Sequence, residues 1–324
     1  MLKLAGAILV LLMDLFTGPS QIFAQPIDDA VVKSVVQILT PPRANRRGDI
    51  GTGFLITVPL EAANEQGLAS FLVTNKHMLG EWNPIDGDFD HNDWIMVRLY
   101  RDMLIPEGPV EEVQVQLKMP DGKLDLSRLA LHPEKTVDVA VVRIDDVVMK
   151  HQKQIRKRLK FRSLTKDWLE PFAELPGPYG YIGAPVFALG YPRGITSLLT
   201  NYPIAKRGHL AATAGEEIAL DTSWTLRNGQ QSGIVVRGKL FLIDGLIVSG
   251  NSGGPIVFPG AGAIGKDPKT EQLTIKARGS SKVLGIVSGG FGSSGLSYAY
   301  ATDYFRSLID DLLVRGRNFK NTNR

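Results

Sequence analysis

A serine lies among glycines in the segment GNSGGP, residues 250–255. So bare a backbone is poor strand and worse helix, and it exposes one hydroxyl, that of Ser252. A serine hydroxyl is a weak nucleophile unless a base removes its proton, and the base needs an orienting carboxylate. Attack on a carbonyl also creates an oxyanion, which requires backbone N–H donors aimed at it. Glycine supplies the backbone angles and the room for such a turn. On this reading the amides of Gly250 and Ser252 point into one oxyanion hole. The stretch FLVTNKHML supplies a base, His77, directly after an apolar run, and TVDVAVVRID supplies a carboxylate, Asp138, at the head of another. Asp145 and Asp146 are close in sequence. Asp138 is preferred because the run after it, VAVV, reads as buried, which would place its carboxylate away from water.

The elements that must position these side chains are mostly strands. After residue 25, short runs rich in Val, Ile, Leu and Phe recur: SVVQIL, GTGFLIT, SFLVTN, WIMVRLY, EEVQVQL, VDVAVVRI, VFALG, HLAAT, GIVVRGKLFLI, PIVF and VLGIVSGG. Gly, Pro, Asn and Asp punctuate them, and no helix alternates regularly with them. The class is therefore all-β and antiparallel, a barrel or sandwich rather than a parallel α/β sheet. One helix is expected near the end. Thr302 or Asp303 would cap it, and Tyr304, Phe305, Leu308, Ile309, Leu312 and Leu313 form its apolar face. The order His77, Asp138, Ser252 has separations of 61 (138−77) and 114 (252−138). Among the chain orders known for this constellation, only the chymotrypsin-like one matches, and it belongs to an all-β double barrel.

Beyond order, the chain resembles the trypsin-like serine peptidases of the chymotrypsin fold, and their bacterial HtrA-like branch more than digestive trypsins. GTGFLI resembles the opening strand of that family, VTNKHM its histidine motif and VDVAVVRID its aspartate motif. ALGYPRG resembles a turn of its second barrel, GNSGGP its nucleophile motif, VLGIVSGG its substrate-binding strand, and GLSYAYATDYF the closing strand that enters the last helix. These matches run in order over residues 51–305. The resemblance implies two antiparallel six-stranded β-barrels with a C-terminal helix: barrel 1 over about 30–147, a connecting insert over about 148–180, barrel 2 over about 181–301 and a helix over about 302–315. It implies a serine endopeptidase in which His77 is the general base, Asp138 its orienter and Ser252 the nucleophile. No cofactor and no metal is implied.

The same resemblance locates a specificity pocket. Its floor would be Leu246, six residues before the nucleophile. Its walls would be Ser288, Gly290 and the strand Gly295–Ser297, with Tyr298 entering if the register slips by one. Val287, Ser288, Gly289 and Gly290 would offer the edge that a peptide joins. Leu246 carries no charge, so cleavage after small or medium apolar residues is expected rather than after Lys or Arg. Asn251 stands where digestive proteases carry an aspartate that pairs with a newly cut N-terminus, so that route of activation is not expected. Few residues follow the closing strand and the start of its helix, so the PDZ domain that HtrA proteases append is not expected. Residues 80–94 and 145–180 are insertions relative to a minimal barrel.

Composition bounds the rest. With 44% hydrophobic residues in 324, the chain holds enough apolar material for a sizeable core. The absence of cysteine excludes disulfides, a cysteine nucleophile and thiolate zinc sites. Lys3 and the apolar run LAGAILVLLMDLF, closed by IFA, read as an export signal over residues 1–24, with an uncleaved membrane anchor as the alternative. A secreted or periplasmic location follows. In DGDFDHND the carboxylates have the spacing of a calcium loop, but its sixth and twelfth positions are His91 and Val97, so a solvated acidic loop is favoured. The run from Lys150 to Arg162 holds seven Lys or Arg. It reads as a solvated helix face, with contact to anionic surfaces as the alternative and nucleic acid disfavoured, because Phe161 is the one aromatic in the run. A protein or peptide substrate is the expected partner. An esterase using the same triad, or a peptide-binding relative with an inert one, remain alternatives.

Overall fold

The computed structural model describes residues 22–24, 27–42, 48–62, 65–100, 110–155, 162–174, 182–196, 201–212, 217–225, 231–245, 247–266, 273–277, 280–291 and 294–322. Strands Ile50–Ala62 and Glu65–Thr74 are apolar on both faces along their paired centre, where Phe54 opposes Val73, Leu55 opposes Leu72 and Ile56 opposes Phe71. Alternation divides these side chains between two cores. Phe54, Ile56, Phe71 and Val73 face the core shared with the second half of the molecule. Leu55 and Leu72 face the core of the first half, with Ile95, Val97 and Val142.

This pair is central to a seven-stranded antiparallel sheet with the order Val110–Gln116, Trp94–Tyr100, Val35–Leu39, Ile50–Ala62, Glu65–Thr74, Ala140–Arg143, Leu129–Leu131. The second half is a closed six-stranded barrel in the order Pro185–Gly190, Ile204–Ala212, Leu240–Asp244, Leu296–Ala301, Lys282–Gly290, Pro255–Phe258. The molecule is therefore all-β with two antiparallel units and a C-terminal helix, in accord with a chymotrypsin-like double barrel. In detail the first unit differs from six closed strands. Its ladder has seven strands and stops at Val110–Gln116 and Leu129–Leu131. Helix Asp145–Ile155 lies against the first of these edge strands, where His151 Nε2 and Glu111 Oε1 are 2.8 Å apart. A helix laid against an edge does the work of a closing strand.

The insert after Ile155 joins the two units. Leu164 bridges to Ile56 of the first sheet and Leu169 to Val283 of the barrel. The insert after His77 forms a short hairpin, Gly80–Trp82 with Phe89–His91. The last helix, Thr302–Thr322, buries Phe305, Leu308, Ile309 and Leu312, and Phe305 meets Phe54 edge-on at 5.5 Å. Its expected caps serve a tertiary role. The Thr302 hydroxyl donates to the Glu170 carbonyl, and Asp303 Oδ2 accepts from the Phe172 amide at 2.8 Å. Residues 1–21 lie outside the described residues, and Ile22–Ala24 pairs with Ala261–Ala263. Among the described residues no helix is long and apolar enough to cross a membrane.

Candidate active site

Strand Glu65–Thr74 ends at Asn75, and the chain turns through one 3₁₀ turn, Lys76–Met78, which carries His77. Asp138 comes just before the strand Ala140–Arg143, which pairs with the histidine strand, Ala140 opposite Thr74. Two adjacent strand ends therefore deliver the imidazole and the carboxylate to one place. Asn75 Nδ2 donates to the Asp138 carbonyl at 2.6 Å and fixes their relative height. The carboxylate, 1% exposed, meets His77 twice: Oδ1 accepts from the His77 amide at 3.2 Å, and Oδ2 lies 2.6 Å from ring Nδ1. With Nδ1–H donating to a carboxylate, Nε2 keeps its lone pair free to act as a base. Burial works against charge on the ring, but the Asp138 carboxylate outweighs it and holds His77 above the ordinary histidine value. Asp145 and Asp146 are engaged elsewhere, Asp145 with Arg143 at 2.7 Å and Asp146 with Arg128 at 2.6 Å.

Ser252, half-buried, stands on the turn after Leu240–Asp244. Its carbonyl accepts from the Thr52 amide at 2.9 Å, and the Thr52 hydroxyl donates to the Gly250 carbonyl at 2.6 Å. Thr74, three residues before His77, donates its hydroxyl to the Thr52 carbonyl at 2.8 Å. Thr52 and Thr74 thus staple the serine turn to the strand that carries the histidine. Gly253, at φ +85, lies where a Cβ would come within 2.0 Å of the Thr52 carbonyl oxygen and 2.5 Å of the Thr74 hydroxyl. Only glycine fits this approach. At Gly250, with φ +97, a Cβ would come within 2.2 Å of the Tyr191 carbonyl oxygen and 2.8 Å of the Arg193 amide nitrogen, and the Arg193 amide donates to the Ser249 carbonyl at 2.8 Å. Because a trans peptide sets N–H opposite C=O, that bond turns the Gly250 N–H away from Arg193. Among the described residues no carbonyl or side chain accepts from the Gly250 or Ser252 amide, so both are available to an anion.

Strand Lys282–Gly290 ties the turn to the acid. Val287 exchanges both backbone bonds with the turn, donating to Gly254 at 2.9 Å and accepting from Gly253 at 3.1 Å. The next residue, Ser288, donates its hydroxyl to Asp138 Oδ2 at 3.2 Å. This corrects the expectation for Val287. Its backbone is engaged within the molecule and its side chain is wholly buried, so of the four residues expected to offer that edge Val287 does not. Ser288 in turn carries out a positioning task that its place in VLGIVSGG did not disclose. Gly289 and Gly290 continue the edge, opposite Tyr298 and Ser297 across a bulge at Val287–Gly289. That bulge sets the register. The Tyr298 ring packs on Gly289, and its hydroxyl is pushed up to about 12 by burial and then by Asp138. Ser297 accepts from the Ile247 amide at 3.3 Å and donates to the Gly245 carbonyl at 2.9 Å. It holds the segment on either side of Leu246, which itself lies outside the described residues.

The sequence reasoning missed Thr52, Thr74 and Lys76. Threonines inside GTGFLIT and SFLVTN read as strand formers, and a lysine reads as exposed. Asn251 is fully buried, and neither atom of its side-chain amide has a partner among the described residues. An aspartate there would bury an uncompensated charge. In the acidic loop the carboxylates satisfy the turn itself: Asp86 accepts from Asn83 Nδ2 and from the Asp88 amide, both at 2.8 Å. Among the described residues no three His, Asp or Glu side chains gather closely enough to hold a metal. The basic run begins on helix Asp145–Ile155, and residues 156–161 lie outside the described residues.

No protein-family model matches the chain, and no curated protein matches it in sequence. Among solved structures it is similar to the active form of the Rv3671c protease from M. tuberculosis, at 17% identity and a TM-score of 0.45 over 90% of this chain and 89% of that one. It is similar to the inactive form of the same protease at 17% identity and a TM-score of 0.42, over 90% of this chain and 98% of that one.

Proposed function

We propose that the chain is a serine endopeptidase that cleaves peptide bonds through an acyl-enzyme, with His77, Asp138 and Ser252 as its catalytic residues. The observation that carries this reading is the 2.6 Å contact of His77 Nδ1 with a buried carboxylate, on a strand stapled through Thr74 and Thr52 to the serine turn. In the proposed reaction His77 Nε2 takes the Ser252 proton as Oγ attacks the scissile carbonyl. Asp138 holds the imidazole in the required tautomer and stabilises the imidazolium. The Gly250 and Ser252 amides receive the oxyanion. The proton then passes to the leaving amine, and water, activated by the same imidazole, releases the acid.

Substrate would pair with the edge from Ser288 to Gly290 and place the side chain before the cut against Leu246, Gly290 and Ser297. Small or medium apolar side chains are expected there. Export from the cytoplasm belongs to the same proposal and rests on the apolar N-terminal run. Profiling of cleavage sites on a denatured-protein library tests the substrate class. Cuts after Val, Ala, Ile or Leu, absent with Ser252→Ala, are expected. Cuts chiefly after Lys, Arg or Glu would overturn the pocket, and hydrolysis of esters alone would make the protein an esterase.

A further inference from the structure

Lys76 is a lysine only 4% exposed, next to His77, and nothing in the proposed reaction uses it. Burying an ammonium is costly unless it is well solvated by the protein. Here the amine donates to the Glu134 carbonyl at 2.8 Å and lies 5.6 Å from the centre of the Trp82 ring. The Glu134 carbonyl belongs to the loop that ends in Asp138. That loop is held carbonyl by carbonyl. Trp82 Nε1 donates to Lys135 at 3.0 Å, the Tyr300 hydroxyl to Thr136 at 2.7 Å, and Asn75 to Asp138 at 2.6 Å. Four donors from three separate segments thus fix four of five consecutive residues, and Lys76 is the one that carries charge.

Three carboxylates act on the pair of Lys76 and His77: Asp138 and Glu134 raise Lys76, and Asp138 and Asp49 raise His77. Asp138 and Glu134 both draw the ammonium toward its charged state, against the burial that lowers it to about 8. His132, whose ring meets Tyr304 edge-on at 4.9 Å, is held below the usual histidine value by burial and by Lys76 itself. Tyr300 and Tyr304 are pushed up by burial and stay protonated. Lys135 turns its amine to the Ile85 carbonyl. On the strand Gly80–Trp82, Glu81 alternates to the face opposite Trp82. At neutral pH the cluster behind Asp138 therefore presents one ammonium to a carboxylate that also serves His77.

We propose that Lys76 is a positioning residue for the His77–Asp138 pair: its amine anchors the Asp138 loop, and its charge competes with the imidazolium for the shared carboxylate. Lys76 thereby lowers the pH at which His77 becomes a free base, against Asp138 and Asp49, which raise it. The inference deepens the peptidase reading and rests on it for its catalytic consequence, but its electrostatic core is measurable without turnover.

The test is an NMR titration of His77 in the Ser252→Ala protein. In Lys76→Met the titration midpoint of His77 should rise by about one pH unit, the scale of a single nearby charge partly screened. In Lys76→Arg, which keeps the charge, it should stay in place. The parent protein keeps the test decisive if Lys76→Met does not fold. The far-downfield proton of the His77–Asp138 hydrogen bond should show a second step near pH 8, absent in Lys76→Arg. In the protein with Ser252 intact, Lys76→Met should lower kcat at pH 7 on the order of 10-fold and leave KM within about twofold, as expected for a misplaced catalytic group. An unmoved His77 midpoint in Lys76→Met, or a parent resonance without the second step, overturns the proposal. If the midpoint moves as expected and no variant hydrolyses peptide, the electrostatic role stands and the peptidase reading falls.

Discussion

The contact between His77 and Asp138 gives the site opposite pH demands for stability and for chemistry. His77 is raised above its ordinary value, so its charged pairing with Asp138 stabilises the fold fully below the unfolded value of about 6.5. That contribution is lost as pH rises through the raised folded value. A general base must be neutral, so activity should appear over the same window in which the stabilisation disappears. The acid limb of kcat/KM is therefore expected above pH 6.5, and a limb well below it would place the base elsewhere. Asp138→Asn keeps the shape of the site but presents an amide to Nδ1, which favours the wrong tautomer. It should lower turnover near neutral pH by about 10⁴ with little change in KM, read from steady-state kinetics. An equal loss in Asp145→Asn is not expected, because that carboxylate is paired with Arg143. These three candidates could be singled out in the sequence because each has a local signature: glycines around Ser252, an apolar run before His77, another after Asp138. Thr52, Thr74 and Lys76 were not, since their roles arise only where segments far apart in sequence touch.

The serine turn shows what the strands and loops add. Its glycines are demanded by contact as well as by backbone angle, and the two causes can be separated. Gly122, at φ +82, has nothing within 4 Å of the place a Cβ would take, whereas at Gly253 the Thr52 carbonyl stands at 2.0 Å. Gly122→Ala should cost about 1–2 kcal/mol, the penalty of left-handed backbone alone. Gly253→Ala should cost about 2–4 kcal/mol, because overpacking is added to the angle, and it should abolish activity. Denaturant midpoints of the two variants decide this, and equal midpoints would mean that the turn is not pressed against Thr52. The sequence showed that a bare turn was needed. It did not show the bulge between Val287 and Gly289, which sends Tyr298 toward Gly289 and leaves Ser297 to hold Gly245 and Ile247. Bulges depend on how two strands meet, and period-two reading along one strand cannot locate them.

At the scale of the molecule, the site lies where two β-units share one core. Phe54 and Val73 of the sheet, Leu189, Tyr191 and Ile286 of the barrel, and Phe305 of the last helix belong to one buried cluster. The Tyr191 hydroxyl, with its ionisation pushed far up by burial, lies 2.8 Å from the Asn201 carbonyl and 3.2 Å from the Val35 carbonyl and shares its one proton between them, linking the barrel to the sheet. The strand ends that carry His77 and Asp138 and the turn that carries Ser252 are therefore held to one core without any disulfide. The order of motifs made two such units legible in advance. The seventh strand of the first, Leu129–Leu131, was not, because three residues are too few to show a period-two pattern. The central claim is that Ser252 is a nucleophile activated by His77, and the most direct measurement of it is covalent labelling of the folded protein by a fluorophosphonate, located by peptide mass mapping. The account predicts one adduct per chain, on Ser252, lost on denaturation and in His77→Ala. No adduct on the folded protein, or an adduct on a different serine, would contradict it.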